Sequence, residues 1–176
     1  MEVTKVNLKG VLLIKPTVFE DKRGYFFESY NKKEFKNIGI EDCFVQDNQS
    51  MSDKDVLRGL HFQKEPFAQG KLVRVLLGSV LDVVVDIRKD SPTYGEHFKQ
   101  VLSSDNKLTL WIPSGFAHGF LTLEDHSVFS YKCTGFYKKE AETSILWNDP
   151  DLDINWAVAN PIVSDKDRKA MLFKDF

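Results

Sequence analysis

Cysteine is scarce: Cys43 and Cys133 are the only two, and their spacing suits neither a paired metal motif nor a disulfide framework. Two free thiols in a cytoplasmic protein are the simplest reading. No stretch approaches the ~20 consecutive apolar residues of a membrane helix. The opening Met1-Glu2-Val3-Thr4-Lys5-Val6 has no apolar segment of a secretory signal. Charge of one sign is also in short supply. A formal net charge of -2 offers nucleic acid and anionic membranes no global attraction, so neither is expected as a partner. An anionic ligand must be held by local cations such as Arg23, Arg58, Lys71 and Arg74. A Gly-x-Gly-x-x-Gly element for a redox cofactor is missing, as are internal repeats, low-complexity tracts and Pro/Ser-rich linkers. Residues 1–176 therefore read as a single domain without a bound cofactor.

What is present is punctuated strand. Hydrophobic residues make up 42% of the 176, with 14 phenylalanines to pack a core. Strand-like runs cover 11–19, 25–30, 43–48, 56–63, 71–77, 80–88, 98–103, 107–112, 118–123 and 127–137. Gly78-Ser79 between 71–77 and 80–88 predicts a tight hairpin. In the second arm Leu81, Val83, Val85 and Ile87 alternate with Asp82, Val84, Asp86 and Arg88, predicting one buried and one mostly polar face. Helical signals are confined to 32–38, ended by Gly39, and to Lys166–Leu172. The expected fold is all-β: a double-sheet jelly roll (sandwich or barrel) with a few short helices. An eight-stranded up-and-down barrel ranks lower, because loops 64–70 and 89–97 exceed what simple hairpins need.

Four ionisable side chains stand out on this framework. His61 lies in Val56-Leu57-Arg58-Gly59-Leu60-His61-Phe62-Gln63, with Lys71 beyond one loop. Strict alternation would place Arg58 and His61 on opposite sheet faces, unless Gly59 forms a bulge. Tyr131 shares a strand face with Phe129 and Cys133, and by itself reads as core. A strand-edge lysine such as Lys71 is as readily solvated as functional. His118 closes Pro113-x-Gly115-x-x-His118, half of the pattern used by cupin metal sites. The other half, His-x-His followed by Glu, is replaced here by His61-Phe62-Gln63, so no metal is expected. An acidic stretch, Ser164-Asp165-Lys166-Asp167, follows near the C-terminus.

Together these segments resemble the dTDP-4-dehydrorhamnose 3,5-epimerase family, a metal-free branch of the cupin jelly rolls. The matching stretches include Asp21 to Ser29, Phe44 to Asn48, Val56 to Gln63, Gln69 to Val75 and Asp82 to Thr93. Leu110 to Phe120, Tyr131-Lys132, Ile145 to Pro150 and Ser164 to Asp167 complete them. The resemblance implies that His61 is the base beside a sugar C4 ketone, with Asp167 as its orienting carboxylate. It implies Tyr131 as the acid on the opposite face and Lys71 as the cation near the C4 oxygen. Arg23, Glu28, Gln46, Asp47, Asn48, Arg58, His118, Glu142 and Lys166 match substrate-contacting positions. It also implies a homodimer in which the segment from Arg23 to Glu28 is lent to the partner's site. Gln49 and the residues from Arg168 to Phe173 depart from the usual family pattern, which bears on nucleotide or sugar preference rather than on proton chemistry. Asp165, two residues from Asp167, remains an alternative partner for His61.

The chemistry is coherent. A hydrogen beside a ketone is too weak an acid for unaided imidazole, so the enolate oxygen needs a fixed cation in a dry site. A positioned base adds roughly 10²–10⁴-fold, and inversion further requires a donor on the other face. The expected activity is a cofactor-independent 3,5-epimerisation of a dTDP-4-keto-6-deoxy sugar. Alternatives are a single-carbon epimerase or ketoisomerase, a silent jelly-roll binding module, and a metal-dependent oxygenase.

Overall fold

A computed structural model describes all of residues 1–176. Its strands are β1 (Glu2–Lys5), β2 (Leu12–Lys15), β3 (Phe19–Asp21), β4 (Gly24–Phe26), β5 (Gln46–Ser52), β6 (Val56–Gln63) and β7 (Lys71–Leu77). They continue as β8 (Ser79–Asp86), β9 (His97–Ser103), β10 (Thr109–Ile112), β11 (Phe116–Thr122), β12 (Ser127–Cys133), β13 (Glu142–Ser144) and β14 (Ile162–Val163). One sheet runs β1-β2-β10-β7-β12-β5, and the second runs β13-β6-β11-β8-β9 with β14 added parallel to β6. A separate hairpin joins β3 to β4. This is the double-sheet jelly roll expected of many short, turn-punctuated strands. No helix is long and apolar enough to cross a membrane.

The core lies between the sheets. Val73 and Val75 from the first sheet meet Val80, Val84, Phe116 and Phe120 from the second, around a fully enclosed Phe129. Phe129 stacks on Phe120 with ring centroids 4.2 Å apart. Each such aromatic removed from water contributes on the order of 1.5–3 kcal/mol. Helix α1 (Lys32–Asn37) covers part of the first sheet's outer face, where Phe35 packs with Ile14, Leu72 and Trp111. Asn31 caps it by accepting from the backbone N–H groups of Lys33 and Glu34, and Gly39 at φ +90° turns the chain away. Helix α2 (Asp165–Arg168) is shorter than the 166–172 expectation and begins earlier, because Ser164 accepts from Asp167 N and sets its start.

Two expectations are corrected. The 71–77 and 80–88 segments do not form a hairpin: β7 pairs with β10 and β12, whereas β8 pairs with β11 and β9. Gly78, at φ +75°, is instead the corner where the chain passes from one sheet to the other. Ser127 blocks any side chain there, and its hydroxyl receives Ser79 N. Nor does β8 have a polar outer face. Val83 and Val85 are sealed on the outside by Ile145, Leu152, Ile154 and Trp156, while Val80, Asp82, Val84 and Asp86 are buried on the inside. The covering segment 145–163 carries no strong strand period, so the second layer of burial left no mark in the β8 pattern.

The proviso about Gly59 is met. His61 pairs with His118, yet Arg58 pairs with Phe120, so three steps along β6 match two along β11. That bulge turns Arg58 and His61 toward the same side. Gly59 sits at φ +132°, and a Cβ there would lie 2.5 Å from Gly119 Cα. Gly59→Ala is expected to cost at least about 2 kcal/mol, from strain plus a backbone clash. Chemical denaturation checks this: an unchanged midpoint would mean that the bulge tolerates a side chain.

Candidate active site

A cup of about 270 Å³ opens at one end of the sandwich, lined by residues from both sheets. β6 contributes His61 and Gln63, β5 contributes Gln46 and Asn48, and β13 contributes Glu142. Lys71 from β7 and Tyr131 and Cys133 from β12 form the facing wall. Strand pairing explains this convergence. Tyr131 lies opposite Asn48, Cys133 opposite both Gln46 and Lys71, and Glu142 opposite Gln63. Imidazole and phenol therefore come from different sheets and approach the cup from different walls.

His61 Nε2 lies 2.6 Å from Asp167 Oδ1, and the carboxylate is almost wholly buried. Gly59 N donates to Asp167 Oδ2 at 3.4 Å. Burial alone would raise the Asp167 carboxyl, but the His61 hydrogen bond and charge, with help from Gly59 and Ser164, outweigh it and hold the group below the usual carboxylate range. A carboxylate accepting at Nε2 keeps a proton on that nitrogen and leaves the Nδ1 lone pair for the cup. Asp165 is exposed on the outer side of the helix, so the carboxylate at His61 is that of Asp167.

Across the cup, burial pushes the Tyr131 phenol up, reinforced by Cys133 and Glu142 and opposed by Arg58, so it keeps its proton. Burial pulls the Lys71 ammonium down, partly offset by Cys133, Asp82 and Glu142. Glu142 is held by Lys166 Nζ at 2.6 Å and by the Tyr137 hydroxyl, which donates at 2.9 Å. Burial would raise the Glu142 carboxyl, but these two donors bring it below its ordinary value.

The remaining expected contact residues divide. Gln46 and Asn48 face the cup and bond each other at 3.0 Å, and Asn48 also reaches Cys133 Sγ at 3.6 Å. Asp47 points to the opposite side of β5 and pairs with Lys132 at 2.9 Å. Arg58 is exposed, with Nε donating to Ser52 Oγ at 3.1 Å. His118 is buried behind the cup, stacked near Phe129 and bonded to Asp82 Oδ2 at 2.9 Å. Arg23 and Glu28 lie away from the cup on and after the β3–β4 hairpin. Arg23 pairs only with Asp21, at 2.5 Å, and Glu28 accepts from Asn31. No group of three or more His, Cys, Asp or Glu side chains converges as a metal-binding set.

Sequence reasoning missed Tyr137, Gln63 and Gln69. Tyr137 is fixed at the rim by its backbone N–H to Gln46 Oε1 at 3.0 Å as well as by its hydroxyl. Gln63 donates to Phe67 O and Phe136 O and accepts from Lys138 N, tying together two rim loops. Gln69 donates to Gly135 O at 2.5 Å and adds to that tie. Gln63 lies two residues from His61 on the same face, a period-two signal that could have found it; Tyr137 lies in a loop and gave none.

The lowered Asp167 carboxyl has a stability consequence with a definite sign. Between its folded and unfolded values the unfolded chain binds more protons, so its contribution is complete above the unfolded value (about 3.9) and lost as pH falls through the folded one. Melting temperatures of wild type and Asp167→Asn should therefore differ most at neutral pH and converge in acid. A gap that widens in acid would contradict this assignment.

The family model for dTDP-4-dehydrorhamnose 3,5-epimerase matches residues 5–175. The dTDP-4-dehydrorhamnose 3,5-epimerase of Shigella flexneri is 53% identical, with 99% of this chain and 97% of that protein covered. The crystal structure of the enzyme of that name from Elizabethkingia anophelis NUHP1 superposes with a TM-score of 0.95 at 51% identity, covering 99% of this chain and 97% of the other. The dTDP-6-deoxy-D-glucose-3,5-epimerase of Legionella pneumophila Philadelphia 1, in complex with dTDP-4-keto-L-rhamnose, gives 0.95 at 46% identity, covering 98% and 93%. With similarity of this extent over a jelly roll whose cup holds imidazole, ammonium and phenol, the chain belongs to the dTDP-4-dehydrorhamnose 3,5-epimerase family.

Proposed function

We propose that the protein is a cofactor-independent 3,5-epimerase that converts dTDP-4-dehydro-6-deoxy-D-glucose to dTDP-4-dehydro-L-rhamnose. One observation carries the reading: the carboxylate-bound His61 and the proton-bearing Tyr131 enter one cup from different sheets, with Lys71 on the phenol's wall.

In this reading His61 Nδ1 removes the proton from a carbon beside the C4 ketone. The electron pair moves onto O4, where the Lys71 ammonium stabilises the enolate. Tyr131 returns a proton from the other side and inverts the carbon; its phenolate then recovers a proton from solvent, and His61 releases its own. Repeating the cycle at the second carbon completes the epimerisation. Gln46, Asn48, Arg58, Glu142 and Lys166 serve the substrate from around the cup and its rim. His118 acts from behind the cup wall, whereas Asp47, paired with Lys132 on the other side of β5, lies outside the cup.

In deuterated water, NMR of the substrate should show exchange at both C3 and C5. His61→Ala should lose exchange and inversion together, by at least about 10²-fold. Tyr131→Phe should keep exchange while losing most inversion. Exchange at one carbon would favour a single-carbon epimerase, and a fully active His61→Ala would remove the assignment of the base.

The protein acts as a homodimer in the cytoplasm, in keeping with its two free thiols. The cup's own lining contains no arginine for a diphosphate, while the β3–β4 hairpin presents Phe19, Tyr25 and Phe26 at 63%, 56% and 65% exposure beside Arg23. A partner covering those aromatics would receive Arg23 and Glu28 at its own cup. Mixing inactive Arg23→Ala and His61→Ala proteins should restore about a quarter of wild-type activity per site, since each mixed dimer assembles one intact cup. No recovery, or a monomeric mass in light scattering, would overturn the shared site.

A further inference from the structure

Two charged groups behind and within the cup have unused bonding capacity. Asp82, on β8, is fully enclosed; its Oδ2 takes His118 Nε2 at 2.9 Å, and its Oδ1 has no hydrogen-bond partner. A buried carboxylate oxygen left bare is costly and calls for a compensating charge. Lys71 sits on the inner face of the opposing sheet, in the same alternation as Val73 and Val75, whose core partners Val80 and Val84 flank Asp82 along β8. Its ammonium makes no direct ion pair, and Asp82 is among the charged neighbours that favour its protonated form against burial.

The groups facing Lys71 leave few candidates for a counter-charge. From β10 its partner is Ile112, which carries none. From β12 come Tyr131 and Cys133, both driven toward their neutral forms by burial. From β13 comes Glu142, already engaged by Lys166 and Tyr137. His118, beyond Asp82, donates to the carboxylate's other oxygen. Asp82 is thus the carboxylate with an oxygen to spare.

We infer that Asp82 is a positioning residue of the reaction: its carboxylate, oriented by His118, holds Lys71 as an ammonium where the enolate oxygen develops. This rests on the proposed enolate chemistry. Without Asp82, a lysine drawn out of water would drift toward the free amine, which stabilises an oxyanion far less. His118 gains a role from the same arrangement, since its ring fixes which oxygen faces the ammonium.

The test uses Asp82→Asn, which keeps the side chain's size and an acceptor for His118 but removes the charge. NMR of protein carrying ¹³Cε-lysine follows the Lys71 titration without substrate, and therefore independently of turnover. The Lys71 midpoint should fall in the variant, and the alkaline limb of its kcat profile should move to lower pH with it. At pH 8 kcat should drop roughly 10- to 100-fold, no more than the loss from removing one oxyanion donor, while KM stays within about twofold. An unchanged Lys71 midpoint and alkaline limb would overturn the inference. A wild type that titrates as described but does not epimerise would instead sink the proposed function. Lys71→Met gives a second reading if Asp82→Asn does not fold. If the two groups do not interact, removing a buried ammonium should raise the melting temperature; if Asp82 relies on the Lys71 charge, the variant should melt lower, and a rise would count against the interaction.

Discussion

Everything in the cup depends on the 2.6 Å contact between His61 and Asp167. Burying a carboxylate is costly unless its oxygens are given donors, and Asp167 receives the imidazole and the Gly59 backbone N–H. That requirement couples distant parts of the chain. The Ser164 cap starts a four-residue helix so that Asp167 points inward, while the bulge at Gly59 brings His61 onto the inner face to meet it. Sheet, bulge and terminal helix are thereby joined through one ring, which leaves a single imidazole nitrogen facing the substrate space.

The two imidazoles use the same device for different ends. His61 and His118 are neighbours on paired strands, and each gives Nε2 to a buried carboxylate. His61 keeps about a third of its side chain exposed and lines the cup, whereas His118 is enclosed beside Phe129. Exposure, not partner chemistry, separates the two rings: one lines the cup and the other is shut away from it. Lys71 and Tyr131 come from the other sheet, so the two-layer architecture itself supplies the opposed walls that inversion of a carbon requires.

Much of this was legible beforehand, and the exceptions have physical causes. The 56–63 and 71–77 strands match strand-like runs in the sequence, the 127–137 run forms a strand as far as Cys133, and α1 lies within 32–38, stopped at Gly39. The misread hairpin at Gly78-Ser79 arose because a glycine corner between sheets has the same local chemistry as a tight turn; only long-range pairing distinguishes them. β8 looked half-solvated because Asp82 and Asp86 are polar, yet both are buried. Asp86 is sustained by Arg88, Ser91 and Thr93. The site's ionisable residues came mainly through family resemblance, since spacing alone could neither choose Asp167 over Asp165 nor bring Tyr131 out of the core. Tyr137 depended on loop geometry that no periodicity encodes.

Asp167 should fix the His61 ring with Nε2 protonated and Nδ1 bare toward the cup. Nitrogen-15 NMR of the histidine rings in resting protein at pH 8 measures this directly. A protonated Nε2 with a downfield hydrogen-bonded proton, both lost in Asp167→Ala, is the predicted result. A proton found on Nδ1 instead would mean that Asp167 does not set the tautomer of His61.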